Sequence, residues 1–181
     1  AYINGIKAGD FILAPGTSQY DVRLQYQSYD VSSLLRQGKN EIVVTIGDGW
    51  WRGDTSYGGE RNSFGTDLGL LCQLEIDKKT VLVSDGSWMA SQTGPLGHND
   101  LMQGEQYDAR KEDICEWHPV TERKIGYGNL VCSNSFDVVE KEHFTGKRID
   151  TPNGGLVIDF GQNIAGYTQL RLYAHEGQRI T

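Results

Sequence analysis

The stretch Leu68-Gly69-Leu70-Leu71-Cys72-Gln73-Leu74-Glu75-Ile76-Asp77-Lys78-Lys79-Thr80-Val81-Leu82-Val83 decides the fold class. Leu68, Leu70, Cys72, Leu74 and Ile76 recur at every second position, so they line one face of an extended chain. Lys78-Lys79 breaks the alternation and turns the chain into a second strand at 80–83. Working outward, Val22, Leu24 and Tyr26 alternate with Arg23, Gln25 and Gln27, the period of a half-buried strand. Ala1-Tyr2-Ile3 and Ile6-Lys7-Ala8 flank Asn4-Gly5, a pair that accepts the positive φ values of a type I′ hairpin turn. Residues 41–46 are apolar on both faces and β-branched, which predicts a central strand. Further strands are predicted at 129–132, 136–140, 156–160 and 168–173. One short helical turn is predicted at 30–36, before Gly38.

No stretch of a dozen residues keeps a helical period. Short strands separated by turn signals predict an all-β fold, an antiparallel β-sandwich of jelly-roll type. The 23 glycines in 181 residues are close to twice the usual share of roughly 7%, which suits a turn-rich chain. Composition shifts after Trp117-His118-Pro119. The reading therefore gives 1–120 to an N-terminal β-sandwich and 121–181 to a linker and the first strands of a second sandwich. Three or four strands are too few to stand alone. The chain starts at Ala1, without Met, and both its ends read as strands, so a piece of a larger protein is expected.

Charge and composition exclude several classes. With 24 acids against 17 bases the net charge is −7, which argues against a nucleic-acid partner, whose phosphates need clustered Lys and Arg. The densest basic stretch, 141–148, reads as a solvated surface. No apolar run approaches the roughly 20 residues of a membrane span, so no membrane partner is expected. Cys72, Cys115 and Cys132 are odd in number and form no CxxC. They read as three buried free thiols in a reducing, cytoplasmic compartment rather than as a disulfide framework. The four histidines pair with no cysteine at zinc spacing, so neither a metal nor a cofactor is expected.

Two motifs carry chemistry. Gly47-Asp48-Gly49-Trp50-Trp51-Arg52-Gly53 has the spacing GxGxxxG, not GxGxxG, and no helix pattern follows, so a dinucleotide loop is excluded. The loop 47–59 instead offers flat rings at Trp50, Trp51 and Tyr57 beside polar Arg52 and Asp54, the mixture a carbohydrate site uses. The alternative is that one Trp plugs the end of the sandwich. Gly104-Glu105-Gln106-Tyr107-Asp108-Ala109-Arg110 holds two carboxylates. They read either as a structural polar cluster at a domain interface, with Glu105 or Asp108 in a buried ion pair with Arg110, or as the acid and base of a glycosidase.

Several phrases together resemble bacterial α-L-rhamnosidases, the enzymes of glycoside hydrolase family 78. They are Tyr2-Ile3-Asn4-Gly5, Leu13-Ala14-Pro15-Gly16-Thr17, Tyr26-Gln27-Ser28-Tyr29-Asp30-Val31, the loop at 47–53, Asp85-Gly86-Ser87-Trp88, Gly104 to Arg110, and Trp117-His118-Pro119-Val120. They are similar, in this order, to the N-terminal β-sandwich domain of that family. Ile149-Asp150-Thr151-Pro152 and the phrase at 157–167 resemble the start of the concanavalin-like domain that follows it. The family phrase has Trp-Tyr where this chain has Trp50-Trp51. The resemblance implies a parent enzyme that hydrolyses terminal α-L-rhamnosyl residues with inversion and without a cofactor. It also implies that catalysis sits in a helical toroid C-terminal to these sandwiches. No catalytic residue is carried over to this chain. The segment is expected to buttress that catalytic domain, its expected partner. The alternative is a carbohydrate-binding module that recognises rhamnosides through 47–59.

Overall fold

The computed structural model describes residues 1–55 and 58–180. Among them the chain forms short strands and one turn of α-helix: β1 (Tyr2–Ile3), β2 (Ile6–Lys7), β3 (Leu24–Tyr26), β4 (Ile42–Val43), α1 (Gly49–Arg52), β5 (Gln73–Ile76), β6 (Lys79–Val83), β7 (Met89–Ala90), β8 (Leu96–Asp100), β9 (Gly104–Tyr107), β10 (His118–Pro119), β11 (Leu130–Cys132), β12 (Lys147–Asp150) and β13 (Leu156–Asp159). Single 3₁₀ turns occupy Ser32–Leu34 and Ala109–Lys111. The fold is all-β, and the pairings are antiparallel except that of β11 with β3. The chain divides into two compact units, Ala1–Val139 and Glu140–Thr181.

The first unit opens on the expected hairpin, with Tyr2 opposite Lys7 and Ile3 opposite Ile6. Asn4 and Gly5 make the turn at φ 51° and 81°. The Asn4 side chain has a second task. Its amide nitrogen donates to the Leu34 carbonyl at 2.9 Å and to the Asn40 side-chain oxygen at 2.8 Å, while its oxygen accepts from the Glu41 N–H. These bonds hold the 34–41 loop so that β4 pairs with β1, in the order β2-β1-β4. The predicted central strand at 41–46 is therefore an edge strand of two residues. Among the described residues no ladder forms on its far side, and Val43 and Ile46 stay exposed.

The deciding stretch pairs only from Gln73 onward, one residue early at its turn: 68–72, read as part of the first strand, lie outside the ladder, and Leu70 and Ile76 are exposed because no second layer covers that face among the described residues. Asp77 and Lys78 take positive φ, and β5 and β6 pair with Leu74 opposite the half-buried Leu82. Residues 121–139, assigned from sequence to the linker and second sandwich, lie in the first unit. β11 pairs in parallel with β3, and the Ile12 N–H donates to the Val138 carbonyl at 2.8 Å. The predicted strand at 136–140 forms no ladder.

In the second unit β12 and β13 pair antiparallel, Lys147 with Asp159 and Asp150 with Leu156. The Tyr167 hydroxyl donates to Glu140. The predicted strand at 168–173 finds no partner there.

Among the described residues the enclosed apolar side chains are few: Ile3, Ala8 and Tyr20. The three cysteines are free as expected, but they are not all buried. Cys115 and Cys132 are exposed and Cys72 is half-buried. Cys132 ends β11, which pairs with β3 in a two-stranded sheet, and Cys115 lies outside the ladders.

Candidate functional site

The 47–67 loop is held against the end of β8 by a polar network. α1 begins after Asp48, and Gly49 takes φ +51° to start it. One turn places Arg52 four residues from Asp48, and its Nε donates to Asp48 Oδ1 at 2.7 Å. Arg61 spans the gap to β8: one nitrogen lies 2.6 Å from Asp48 Oδ2 and another 2.8 Å from Asp100 Oδ2. The Asp100 side chain is fully enclosed, 0% exposed. It also accepts from the backbone N–H groups of Asp54, Met102 and Gln103 at 2.8, 2.8 and 3.0 Å. The Gln103 amide donates to Asp54 Oδ2 at 2.8 Å. Burial pushes the Asp100 carboxyl up, but the three N–H donors and the Arg61 guanidinium outweigh it, so the acid is held below its ordinary range. Such a network satisfies buried polar atoms and fixes a loop.

The candidate sugar-binding residues that the structure describes are mostly engaged by the fold. The Trp51 ring packs with Tyr20 (centroids 5.4 Å) and lies stacked at 6.2 Å on Phe64, while Tyr20 meets Phe64 edge-on at 4.8 Å. The Trp51 indole N–H donates to the Asp67 carbonyl at 3.0 Å. Arg52 is engaged by Asp48 and by the Thr66 carbonyl. Asp54 is buried. Trp50 is half-buried. Tyr57 lies outside the described residues.

The second cluster is smaller than its spacing suggests. Asp108 and Arg110 pair through two bonds of 2.8 Å each, and the Asp108 side chain also caps the 3₁₀ turn by accepting from the Arg110 backbone N–H at 3.2 Å. The pair is solvated, with the Arg110 side chain 63% exposed. Hydrogen bonding to Arg110 is the main cause holding the Asp108 carboxyl down to about 2. Glu105 stands exposed on β9, opposite Asn99. The residues that sequence reasoning missed are Arg61, Asp100 and Gln103. Asp100 carried one signal, an Asp between a strand and a turn, where a carboxylate accepts backbone N–H bonds two and three residues on.

Among the described residues, no group of three or more His, Cys, Asp or Glu is placed to hold a metal. No helix among them is long and apolar enough to cross a membrane.

The alpha-L-rhamnosidase N-terminal domain family matches residues 1–141. An alpha-L-rhamnosidase of Streptomyces avermitilis is 31% identical across 99% of this chain, which covers 19% of that protein. One from Formosa agariphila is 33% identical across 87% of the chain and 17% of the relative. The crystal structure of native α-L-rhamnosidase from Aspergillus terreus superposes with a TM-score of 0.81 at 35% identity, over 90% of this chain and 20% of that one. The chain thus spans about a fifth of the length of these relatives. Its matched strands, from the Asn4-Gly5 hairpin to β11, make this chain a member of the alpha-L-rhamnosidase N-terminal domain family.

Proposed function

We propose that the chain is a non-catalytic accessory segment of an α-L-rhamnosidase-like glycoside hydrolase, and that it buttresses that enzyme's catalytic domain. The observation that carries this reading is uncovered apolar surface. Two separately folded bodies of the sizes of these units would expose roughly 10,000 Å² between them. The chain exposes 15331 Å². In the second unit Leu156, Leu170 and Tyr173 are exposed to 70%, 66% and 103%, and a lone hairpin cannot bury them. Strands with this much bare apolar area are completed by other polypeptide. The second unit then supplies the first strands of a concanavalin-like sandwich. The hydrolysis of terminal α-L-rhamnosyl residues, with inversion, belongs to the toroid beyond it. Free thiols at Cys72, Cys115 and Cys132 favour a reducing compartment.

The test compares the polypeptide that carries this segment with the 181-residue chain alone on an aryl α-L-rhamnoside. Turnover by the first and none by the second is expected. Turnover by the chain alone removes the accessory reading.

A second reading makes the segment a rhamnoside-binding module acting through 47–59. It is favoured by Trp50, which is half-buried and, unlike Trp51, makes none of the ring contacts with Tyr20 and Phe64. Quenching of Trp fluorescence by a rhamnoside, lost in Trp50→Ala and kept in Trp51→Ala, supports it.

A further inference from the structure

Asparagine followed by glycine occurs twice in the chain, at Asn4-Gly5 and at Asn153-Gly154. The pair has a reactivity of its own. Glycine has no side chain to shield its backbone nitrogen, so that nitrogen can reach the amide carbon of the asparagine before it. A ring closes only when the asparagine side chain is free to turn back onto the chain and the glycine N–H is free of its acceptor. Sequence alone ranks the two pairs together, and their surroundings separate them.

Asn4 is held on every side. Its amide nitrogen donates to the Leu34 carbonyl and to Asn40 Oδ1, its side-chain oxygen accepts from the Glu41 N–H, and its own backbone N–H donates to the Glu41 carbonyl. Three side-chain bonds must therefore break before Asn4 can rotate. Asn153 lies in 151–155, the loop of the β12–β13 hairpin. Its side chain is exposed and has no hydrogen-bond partner among the described residues. The Gly154 N–H donates to the Thr151 carbonyl at 3.0 Å, and Thr151 Oγ1 donates to the Gly155 carbonyl at 2.8 Å. Every residue of β12 and β13 is exposed. A two-stranded hairpin is marginal in water, so the bond at Gly154 opens in local fluctuations that cost little.

We propose that Asn153 is a site of spontaneous modification. The Gly154 nitrogen attacks Asn153 Cγ, the Cγ–Nδ2 bond breaks, and ammonia leaves with the proton that the glycine gives up. Water then opens the resulting succinimide to an aspartyl or an isoaspartyl residue. The balance is asparagine and water in, a carboxylic acid and ammonia out. The product carries one further negative charge at the hairpin loop. Its isoaspartyl form also routes the main chain through the side-chain methylene, which lengthens the connection between Asp150 and Leu156, the pair that ends the ladder. The reaction needs neither a substrate nor a partner protein, so it rests on neither functional reading above.

The experiment incubates the full chain in heavy-oxygen water at mildly alkaline pH and follows each asparagine by peptide mapping and mass spectrometry. A second sample is held unfolded in urea. In the folded chain, heavy oxygen should enter at position 153 as a mixture of aspartyl and isoaspartyl forms. Position 4 should react at least about tenfold more slowly, because three hydrogen bonds must open first. In urea the two positions should react at similar rates. Gly154→Ala, which sets a methyl group beside the attacking nitrogen, should slow position 153 severalfold in urea, where folding plays no part. The proposal is overturned if Asn4 reacts as fast as Asn153 in the folded chain, or if Asn62 or Asn134, each followed by serine, reacts before it. It is also overturned if Asn153 of the folded chain stays unmodified over the time in which the urea sample reacts. An unchanged rate in Gly154→Ala overturns it as well, since the glycine nitrogen is then not the attacking group.

Discussion

Arg61 and Asp100 stand 39 residues apart in sequence and 2.8 Å apart in space, and they join the aromatic loop to the end of β8. Asp100 is the enclosed member and serves four donors, three of them backbone N–H groups. Asp100→Ala leaves the three backbone N–H groups without this acceptor, while Arg61, 34% exposed, keeps Asp48, and is expected to cost about 2–3 kcal/mol, the scale of leaving buried donors unsatisfied. Asp100→Asn keeps one acceptor oxygen and should cost less. Urea titration of the full chain by Trp fluorescence measures both. A loss below about 1 kcal/mol for the alanine variant, no more than an ordinary hydrogen bond, contradicts the role given to this carboxylate.

The same residue predicts a pH dependence. Although burial opposes it, the Asp100 carboxyl is lowered in the folded state by its N–H donors and Arg61. The unfolded chain therefore binds a proton that the folded chain does not, near the usual aspartate value of about 3.9. The stability from Asp100 is full above that value and is lost as pH falls through the lower folded value. The wild-type chain should lose stability steeply below about pH 4, and Asp100→Asn should lose less over the same window. Parallel acid-denaturation curves for the two proteins would show that Asp100 titrates normally.

The two adjacent tryptophans should separate sharply. Trp51→Ala removes contacts to Tyr20 and Phe64 and a bond to the Asp67 carbonyl. It should cost about 2–3 kcal/mol, toward the low end for a large aromatic because the site is only half-buried. Trp50→Ala should stay within about 1 kcal/mol. Near-UV circular dichroism with denaturant titration distinguishes them. Equal losses would mean that Trp50 is also part of the packing.

The all-β class was legible because the alternation at 68–83 and the Asn4-Gly5 pair are local, and local sterics alone place a hairpin there. Residues 41–46 misled because an apolar run reports that both faces are apolar, not that a second strand lies beside it. Pairing is non-local, and here β4 finds only β1. Residues 121–139 were assigned to another body for the same reason. Nothing in the sequence of β11 says that β3, roughly a hundred residues earlier, is its neighbour. At the site, Trp51 and Arg52 were picked out by type, while Arg61 and Asp100 were not. Their meaning lies in a contact across 39 positions, which composition and spacing do not encode. Asp108 and Arg110, only two residues apart, were seen together because a pair that short is local.

Gly53 shows why the 47–53 motif ends in glycine. Its φ of −70° is open to any residue, so backbone conformation does not demand glycine here. Space does. A Cβ at this position would run into the Gly49 carbonyl oxygen and lie 3.0 Å from Asp100 Oδ2. The first obstacle is backbone, which cannot swing aside as a side chain does. Relief would come from shifting α1 or from opening the 2.8 Å bond between the Asp54 N–H and Asp100. Gly53→Ala should therefore destabilise the chain by about 1–3 kcal/mol, as overpacking does. Because part of the crowding is against Asp100 Oδ2, the double variant Gly53→Ala/Asp100→Ala should lose somewhat less than the sum of the single losses. Strict additivity in that double-mutant cycle would show that the glycine and the carboxylate act independently.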